Sequence, residues 1–357
     1  GGAGFPMGIK LDTCERTESD TKFIICNADE GDPGAYTDRY IMEERPHPLL
    51  LGMIITGYAV GAEWGVIYIR GEYPESVDVI EKAIQDLYDK EILPLKNSNG
   101  FEYKFKIIKA QGAYICGEET ALINSIEGQR PEVRVRPPYP AQKGLYNKPT
   151  VVNNVETLAA LHFIISNGGN TWKNIGTERS SGTKLVSLDS FFNHPGLYEV
   201  EMGTPLSKVI SELGGGFKTN VKAIQIGGPL GVVVPISKIK DLTFDFELFL
   251  KEGFLLVHAS FVCIPEDFPM FHYIEHLFDF ASYESCGKCF PCRLGTKRGQ
   301  ELSEKAINSD YKIDQNLFKD LLTTLEQGSL CAHGGGIPLP IRNIMHYFDD
   351  ELKAYFN

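Results

Sequence analysis

The sequence predicts an α/β domain with a parallel sheet, followed by a small β-rich module and a helical C-terminal region. Three observations predict it: strand-like runs alternate with helical patterns in the first half, short strands follow, and apolar stripes at helical spacing fill the last part. The predicted domains span residues 1–173, 174–265 and 266–357.

Strand signals in the first domain are short runs of β-branched and aromatic residues bounded by polar segments. They lie at Phe23 to Cys26, Val66 to Ile69 and Phe105 to Ile108. Because helical patterns separate these runs, we expect the strands to pair in parallel.

Two helices of this domain have clear sequence signals. The first is predicted to begin at Ser76 as its N-cap, and the second near Asn154, with the glycines after Asn167 ending it. The predicted buried faces consist of Val77, Ile80, Ile84 and Leu87 in the first helix and of Leu158, Leu161 and Ile165 in the second.

Composition and charge exclude several classes of protein. The most apolar stretch, Leu49 to Ala62, is too short to span a bilayer, so it predicts a buried helix and no membrane insertion. A formal net charge of -12 without a basic cluster argues against a nucleic-acid partner. Eight cysteines in 357 residues are too few for a disulfide scaffold and favour a reducing, cytoplasmic setting. Because the chain starts inside a glycine-rich motif without methionine, we expect its native start to lie upstream.

The second domain is predicted from the order strand, strand, helix, strand, which is typical of a β-grasp module. These elements lie at Leu185 to Leu188, Leu197 to Glu201, Pro205 to Leu213 and Ala223 to Ile226. The third domain is predicted as a small helical bundle, because its apolar residues recur in three helical stripes. The stripes are Met270, Ile274, Leu277 and Phe278; Leu317, Leu321 and Leu325; and Ile341, Met345, Phe348 and Leu352.

The sharpest motif consists of Cys286, Cys289 and Cys292 at three-residue intervals, followed much later by Cys331 beside three glycines. This spacing is typical of a 4Fe-4S cluster, in which three close thiolates hold three irons and a remote one closes the site. Structural zinc, held by the three cysteines and either Cys331 or His333, is the alternative, although zinc sites usually pair their cysteines in two arms. The remaining cysteines are predicted to be buried packing side chains: Cys14, Cys26, Cys116 and Cys263.

Polar and glycine-rich segments follow the predicted strands of the first domain, where α/β proteins bind ligands. The segment from Asn27 to Gly34 follows the first strand, and Gly117, Glu118 and Glu119 come after the third. A further polar segment consists of Val152, Asn153 and Asn154. Two other interpretations stay open: the glutamates could form a solvated helix face, and the glycine-rich loop of residues 1–8 could be a plain surface turn instead of a phosphate cradle.

Four motifs resemble, in chain order, the NADH-binding flavoprotein subunit of respiratory complex I and its relatives in NAD-linked hydrogenases and formate dehydrogenases. They are Gly1-Gly2-Ala3-Gly4-Phe5-Pro6, Asn27-Ala28-Asp29-Glu30, Tyr114 with Gly117-Glu118-Glu119, and Cys286 to Cys292 with Cys331. The resemblance implies a Rossmann-like domain that binds FMN and NADH, a ubiquitin-like β-grasp domain and a helical bundle that carries a 4Fe-4S cluster.

The resemblance also implies individual roles. FMN would be held by Gly1, Gly2, Lys10, Asn27, Asp29, Glu30, Gly117, Glu118, Val152, Asn153, Asn154 and Thr157. Phe5 and Tyr139 would enclose the adenine of NADH between aromatic faces. The residues near the ribose and nicotinamide would be Asp32, Tyr114 and Glu119, of which Asp32 and Glu119 are the candidate catalytic residues. The cluster ligands would be Cys286, Cys289, Cys292 and Cys331.

The implied function is that of an NADH dehydrogenase subunit, in which FMN takes hydride from NADH and electrons leave singly through the cluster. The implied partners are a thioredoxin-like 2Fe-2S subunit and further iron-sulfur subunits, with a location in the cytoplasm or on the cytoplasmic face of a membrane-bound complex. Acidic residues near the ribose favour NAD over NADP. Two alternatives stay open: a flavin-based electron-bifurcating subunit of a hydrogenase or formate dehydrogenase, and a non-catalytic metal-binding scaffold.

Overall fold

The computed structural model describes residues 4–94 and 100–357. The chain divides into two compact units, and each unit is built on its own sheet. The first unit comprises Gly1–Gly31 and Ala35–Asn174, and the second comprises Asp32–Gly34 and Ile175–Asn357. Among the described helices, none combines the length and the apolarity that crossing a bilayer requires.

The sheet of the first unit is parallel. Its described strands are β1 (Phe23–Ala28), β2 (Trp64–Ile69), β3 (Lys104–Lys109) and β4 (Thr150–Asn154). They are ordered β3-β2-β1-β4 and every neighbouring pair is parallel, so all their carboxyl ends lie at one edge of the sheet. The structure confirms the predicted Rossmann-like α/β region with its three strands. It adds β4, whose polar residues Asn153 and Asn154 conceal the strand signal.

Helices surround this sheet. They are α1 (Met7–Arg16), α2 (Thr37–Glu44), α3 (Pro46–Val60), α4 (Pro74–Asp89), α5 (Glu119–Ile126), α6 (Pro140–Lys143), α7 (Val155–Ala159), α8 (Leu161–Asn167) and α9 (Gly169–Lys173), with 3-10 turns at Tyr114–Gly117 and Leu145–Asn147. The buried helix predicted from the most apolar stretch is confirmed as α3.

Two details of the helix predictions are wrong. α4 begins at Pro74, whose fixed φ suits the first helical position, so Ser76 lies inside the first turn and donates to Glu43 at 2.8 Å instead of capping the helix. The second predicted helix is divided into α7 and α8 at Ala160, and Ile165 is 65% exposed instead of buried. Its predicted start at the Asn154 cap is confirmed.

The sheet of the second unit is mixed. Its described strands are β5 (Thr183–Leu188), β6 (Gly196–Glu201), β7 (Val221–Ile226), β8 (Val232–Pro235) and β9 (Ser260–Pro265). They are ordered β6-β5-β9-β7-β8, with β5 and β9 parallel and the other pairs antiparallel. The structure confirms β5, β6 and β7 as predicted and adds β8 and β9.

Both faces of this sheet are covered. In β8, Val232 and Val234 belong to a core shared with β5, β6 and β9, whereas Val233 belongs to a second core formed mainly by residues 264–352. Alternate residues of a strand point to opposite faces, so the one strand contributes to both cores.

The helices of the second unit follow the strands for the most part. They are α10 (Leu206–Lys208), which continues as a π-helical turn at Val209–Leu213, then α11 (Phe246–Lys251), α12 (Met270–Tyr283), α13 (Phe290–Asn308), α14 (Gln315–Gly328), α15 (Ala332–Gly336), α16 (Pro338–Tyr347) and α17 (Asp349–Leu352), with a 3-10 turn at Ile236–Asp241.

The apolar stripe predicted on α12 is confirmed, because all four of its residues are buried. The stripe predicted on α14 is right at Leu325 but wrong at Leu317 and at Leu321, which is only partly buried. Leu317 is 51% exposed, and Phe318, Leu322 and Leu325 form the buried face. Leucine stands on both sides of this helix, so its pattern alone does not identify the buried side. In the last stripe, Ile341 and Leu352 are buried, whereas Met345 and Phe348 are only partly buried.

Candidate functional site

The carboxyl edge of the parallel sheet brings together the three polar segments that the sequence places after its strands. Asn27 of β1 lies opposite Asn154 of β4 in the strand register. The Asn27 side-chain amide also donates to the carbonyl of Gly117 at 2.8 Å, which ties the end of β1 to the segment that follows β3. The three polar segments therefore lie together at this edge of the sheet.

Two features of this site fit a planar, polar ligand such as FMN. The Nδ2 atom of Asn153 is buried and has no hydrogen-bond partner among the described residues, and an unmet donor of this kind costs about 1–3 kcal/mol. Gly117 lies against Asp29, because a Cβ built on it would be 3.4 Å from the Asp29 carbonyl oxygen and 3.6 Å from Oδ2. The site thus offers the buried amide donor of Asn153 and, at Gly117, a stretch of backbone that carries no side chain.

Lys10 supplies positive charge at the same edge. It is carried by α1, which begins at Met7, so the prediction that the glycine-rich loop extends to residue 8 is wrong. Its ammonium donates to the Val152 carbonyl at 2.9 Å and lies 3.6 Å from the Glu119 carboxylate. The predicted contacts at Gly1 and Gly2 lie outside the described residues.

Glu118 and Glu119 are both partly buried, with side-chain exposures of 15% and 22%, so the solvated-face interpretation is wrong. Glu118 caps α5 by accepting from the backbone N–H groups of Thr120 and Ala121. Arg136, which the sequence interpretation missed, lies 3.0 Å from Glu119 and 3.7 Å from Glu118. A basic residue directly before Pro137 and close to Tyr139 is the signal that could have identified it.

The Glu30 carboxylate binds the first turn of α2. Its buried carboxylate accepts from the Thr37 hydroxyl at 3.0 Å and from the backbone N–H groups of Asp38 at 2.9 Å and Arg39 at 3.1 Å. These donors stand at the start of α2, so Glu30 stabilises that helix end by hydrogen bonds and by its charge. Asn154 similarly caps α7 through the Glu156 N–H.

The aromatic residues that the resemblance assigns to NADH, Phe5, Tyr114 and Tyr139, all lie in the first unit. Phe5 and Tyr139 are 60% and 55% exposed. Phe5 directly precedes Pro6, the N-cap of α1, and Tyr139 directly precedes Pro140, the first residue of α6. These two helices pack together. The Tyr114 ring lies against Gly31, where an added Cβ would be 2.9 Å from the ring. Thr157 is half-buried in α7.

Asp32 belongs to the second unit. A Cβ built on Gly228 would be 2.3 Å from its Oδ1 atom, so the carboxylate occupies the space beside a glycine with φ of +72°. Ser187 of β5 donates to the carbonyl of Gly34 at 2.7 Å and holds the same short segment against the sheet.

The four motif cysteines are neighbours in the second unit. Cys289 precedes α13, Cys292 lies in its first turn, and Cys331 precedes α15. Burial raises the pKa of the Cys292 thiol to about 12; the Ser285 hydroxyl lowers it, and the nearby Cys289, Cys331 and Cys286 raise it. Among the described residues, no three His, Cys, Asp or Glu side chains are placed to share a single metal ion.

Glycines and a serine shape the surroundings of these cysteines. Gly287 has a φ of +78°, a left-handed conformation that favours glycine in the tight loop between Cys286 and Cys289. Ser285 accepts from the Gly287 N–H at 3.3 Å, and its hydroxyl lies 3.3 Å from the Cys292 sulfur. A set of four thiol donors with close backbone and hydroxyl donors fits an iron-sulfur cluster.

His333 is buried near the last cysteine. Its Nε2 atom donates to the Ala281 carbonyl at 2.9 Å, and burial lowers the pKa of the imidazole. The Nε2 atom of His333 is thus engaged in a backbone hydrogen bond and does not serve as a metal ligand. The four remaining cysteines are all buried free thiols, as predicted.

Comparisons with known proteins agree with both halves of this arrangement. Residues 1–162 match the family model of the Nuo51 FMN-binding domain, and residues 272–355 match that of the NADH-ubiquinone oxidoreductase-F iron-sulfur binding region. The chain is 40% identical to NADP-reducing hydrogenase subunit HndC of Solidesulfovibrio fructosivorans, over 99% of this chain and 73% of that one. It is 37% identical to an NADH-quinone oxidoreductase subunit of Rhizobium meliloti (strain 1021), over 99% of this chain and 85% of that one.

Among solved structures, the chain is similar to a subunit of NAD+-reducing [NiFe]-hydrogenase in the H2-reduced state. The TM-score is 0.90 at 32% sequence identity, and the match covers 99% of this chain but only 60% of the hydrogenase chain.

Proposed function

Because the chain belongs to the family of FMN-binding and iron-sulfur subunits found in NADH-quinone oxidoreductases and NAD-reducing hydrogenases, we propose that it is an NADH dehydrogenase (diaphorase) flavoprotein subunit. It passes electrons between NAD(H), FMN and a 4Fe-4S cluster, and on to partner redox subunits. The observation that carries this proposal is the presence in one chain of both a matched FMN-binding region and a matched iron-sulfur region.

The FMN is held at the carboxyl edge of the parallel sheet. Asn153 provides the donor that lacks an acceptor among the described residues, and Gly117 lets the backbone approach the ring. Lys10 offsets negative charge. The full proposed set is Gly1, Gly2, Lys10, Asn27, Asp29, Glu30, Gly117, Glu118, Val152, Asn153, Asn154 and Thr157. When bound, FMN supplies the conversion of a two-electron hydride transfer into one-electron steps.

NADH binding is assigned to the aromatic and acidic residues. Phe5 and Tyr139 present exposed aromatic faces that suit an adenine. Tyr114 and Glu119, together with Asp32, are assigned to the ribose and nicotinamide end. The negative charge of Glu119 is compensated by Lys10 and Arg136, so these residues orient its carboxylate in the site.

The cluster is held by Cys286, Cys289, Cys292 and Cys331, one thiolate for each iron. The hydrogen bond from Ser285 and the N-terminus of α13 stabilise negative charge at these sulfurs.

We assign the domains of the second unit on the same grounds. Residues 174–265 form a ubiquitin-like β-grasp domain, and residues 266–357 form the helical bundle that carries the cluster. The second core, formed mainly by residues 264–352, supports the helical domain, and Ala223 and Val233 of the neighbouring sheet contribute to it.

The partners that we propose are a thioredoxin-like 2Fe-2S subunit and further iron-sulfur subunits of a larger redox complex. Several relatives are named as subunits of such complexes. Eight cysteines in 357 residues are too few for a disulfide scaffold, which supports a reducing, cytoplasmic location, including the cytoplasmic face of a membrane-bound complex.

A second candidate function is favoured by one observation, the 40% identity to an NADP-reducing hydrogenase subunit. In that case the same site transfers electrons in the opposite direction, from a hydrogenase partner to NAD(P). Identifying the subunits that copurify distinguishes the two candidates.

Anaerobic titration with NADH tests the proposed function. The purified protein should lose its oxidised-flavin absorbance and develop the electron paramagnetic resonance (EPR) signal of a reduced cluster. Cys286→Ala should retain flavin bleaching but lose iron and the cluster signal, whereas Cys263→Ala, which removes a buried thiol elsewhere in the same unit, should retain both. Stoichiometric zinc without iron or flavin would contradict the proposal.

A further inference from the structure

The side-chain hydroxyl of Ser329 is not satisfied by the described part of the chain. The residue closes α14, where its backbone N–H donates to the Leu325 carbonyl at 3.2 Å. Its Oγ atom is buried and has no hydrogen-bond partner in the part of the chain that the structure describes. Leaving a buried hydroxyl without a hydrogen-bond partner is energetically costly, so a partner from outside the protein chain is expected.

The surroundings of this hydroxyl indicate what that partner is. A Cβ built on Gly334 would be 2.5 Å from the Ser329 Oγ atom and 2.7 Å from the Cβ of Cys292. The hydroxyl and the cysteine side chain therefore flank the same glycine, and Cys331 follows Ser329 by two residues. The unpaired hydroxyl thus adjoins two of the four proposed cluster ligands.

A second serine is already engaged in the same place. Ser285 accepts a hydrogen bond from the Gly287 N–H, which leaves its own proton for the Cys292 sulfur at 3.3 Å. Ser285 directly precedes Cys286, whereas Ser329 directly follows α14, so the two hydroxyls come from different segments of the chain. Of these two serines, Ser329 is the one that lacks an acceptor among the described residues, and the sulfurs of a bound cluster are the acceptors that this space would contain.

We propose that the Ser329 hydroxyl donates a hydrogen bond to a sulfur of the cluster and so raises the reduction potential of the cluster. The inference rests on the proposed function, because it requires the cluster to be held by the four cysteines. Reduction adds one electron to the cluster and increases the negative charge on its sulfurs. A fixed O–H donor stabilises that charge, and the proton stays on the serine throughout.

The experiment is an EPR-monitored redox titration of the purified holoprotein, with iron content measured on the same samples. Ser329→Ala should retain its iron and show a more negative cluster midpoint potential than the wild type. Ser329→Thr, which keeps the hydroxyl, should return toward the wild-type value. Ser309→Ala is the matched control, since Ser309 ends α13 and donates to the Lys305 carbonyl at 2.7 Å; its potential should be unchanged.

An unchanged midpoint potential in an iron-replete Ser329→Ala protein would overturn this inference alone. If Ser329→Ala loses iron, the pair Ser329→Thr and Ser329→Val decides, because these side chains have the same shape and differ in the hydroxyl. A more negative potential in the valine variant supports the inference, and equal potentials contradict it. A wild-type protein without iron or a cluster signal would instead contradict the proposed function itself.

Discussion

Replacing Gly117 by alanine separates the proposed FMN site from the stability of the protein. The residue does not have a left-handed φ, and an added Cβ would be 3.4 Å from the nearest atom, the Asp29 carbonyl oxygen, which is ordinary contact. The apoprotein should therefore accept the methyl group, and a smaller loss of backbone entropy on folding should stabilise it by about 0.4–1 kcal/mol.

The bound ligand should not accept the methyl group if the flavin ring lies against Gly117. Overpacking by one methyl costs about 1–3 kcal/mol, which corresponds to a roughly 5- to 150-fold weaker affinity for FMN. Quenching of flavin fluorescence on titration into apoprotein measures the affinity, and thermal denaturation of the same apoprotein measures stability.

Gly169→Ala is the matched control for this experiment, because a Cβ at Gly169, in the same unit, meets nothing within 4 Å. Its FMN affinity should equal that of the wild type. The reasoning would be refuted by a Gly117→Ala protein that binds FMN as tightly as the wild type. It would also be refuted if the free energy of unfolding of the Gly117→Ala apoprotein fell by as much as its free energy of FMN binding.

Three further predictions concern the first unit. A Cβ at Gly52 would lie 1.9 Å from the Leu158 carbonyl oxygen, so Gly52→Ala should lower the free energy of unfolding by about 1–3 kcal/mol or more in thermal denaturation. Gly8→Ala, in open space on α1, should not, and equal stability of the two variants would contradict the packing argument. Glu30→Ala leaves the donors at the start of α2 without an acceptor and should cost about 1–3 kcal/mol in a denaturant titration, with Glu30→Gln losing less; a fully stable alanine variant would exclude the capping role. Burial raises the pKa of Cys14 from 9.0 to about 11, so the folded state favours the neutral thiol: its stabilisation is complete below pH 9 and is lost as the pH rises toward 11. The difference in unfolding free energy between wild type and Cys14→Ala should fall by up to about 2–3 kcal/mol over that range, and a constant difference would count against it.

Local sequence patterns predicted most elements of the sheets correctly, because strand and helix formation depend on nearby side chains. The runs that became β1, β2 and β3 alternate with helices, which is enough to predict parallel pairing. The errors fall where tertiary packing chooses between equal local options. On α14, Leu317 and Leu321 look as suitable for burial as Phe318 and Leu322, and only the neighbouring helices decide which face is covered.

The candidate site divides in the same way. The spacing of Cys286, Cys289 and Cys292 is set by the chain itself, so the cluster motif and the residue types available to it can be identified before any fold is known. The partners of each charged group are set by distant segments. Arg136 lies 17 positions after Glu119 and binds it, and Glu30 is used to cap α2.

The chemical groups of this protein and their order along the chain are thus fixed by its amino-acid sequence, because both are local properties. Which groups are paired, and which still need an acceptor, as Asn153 and Ser329 do among the described residues, became visible only in the folded chain. Hydrogen-bond satisfaction depends on atoms that folding brings together from far along the chain, and no local pattern records it.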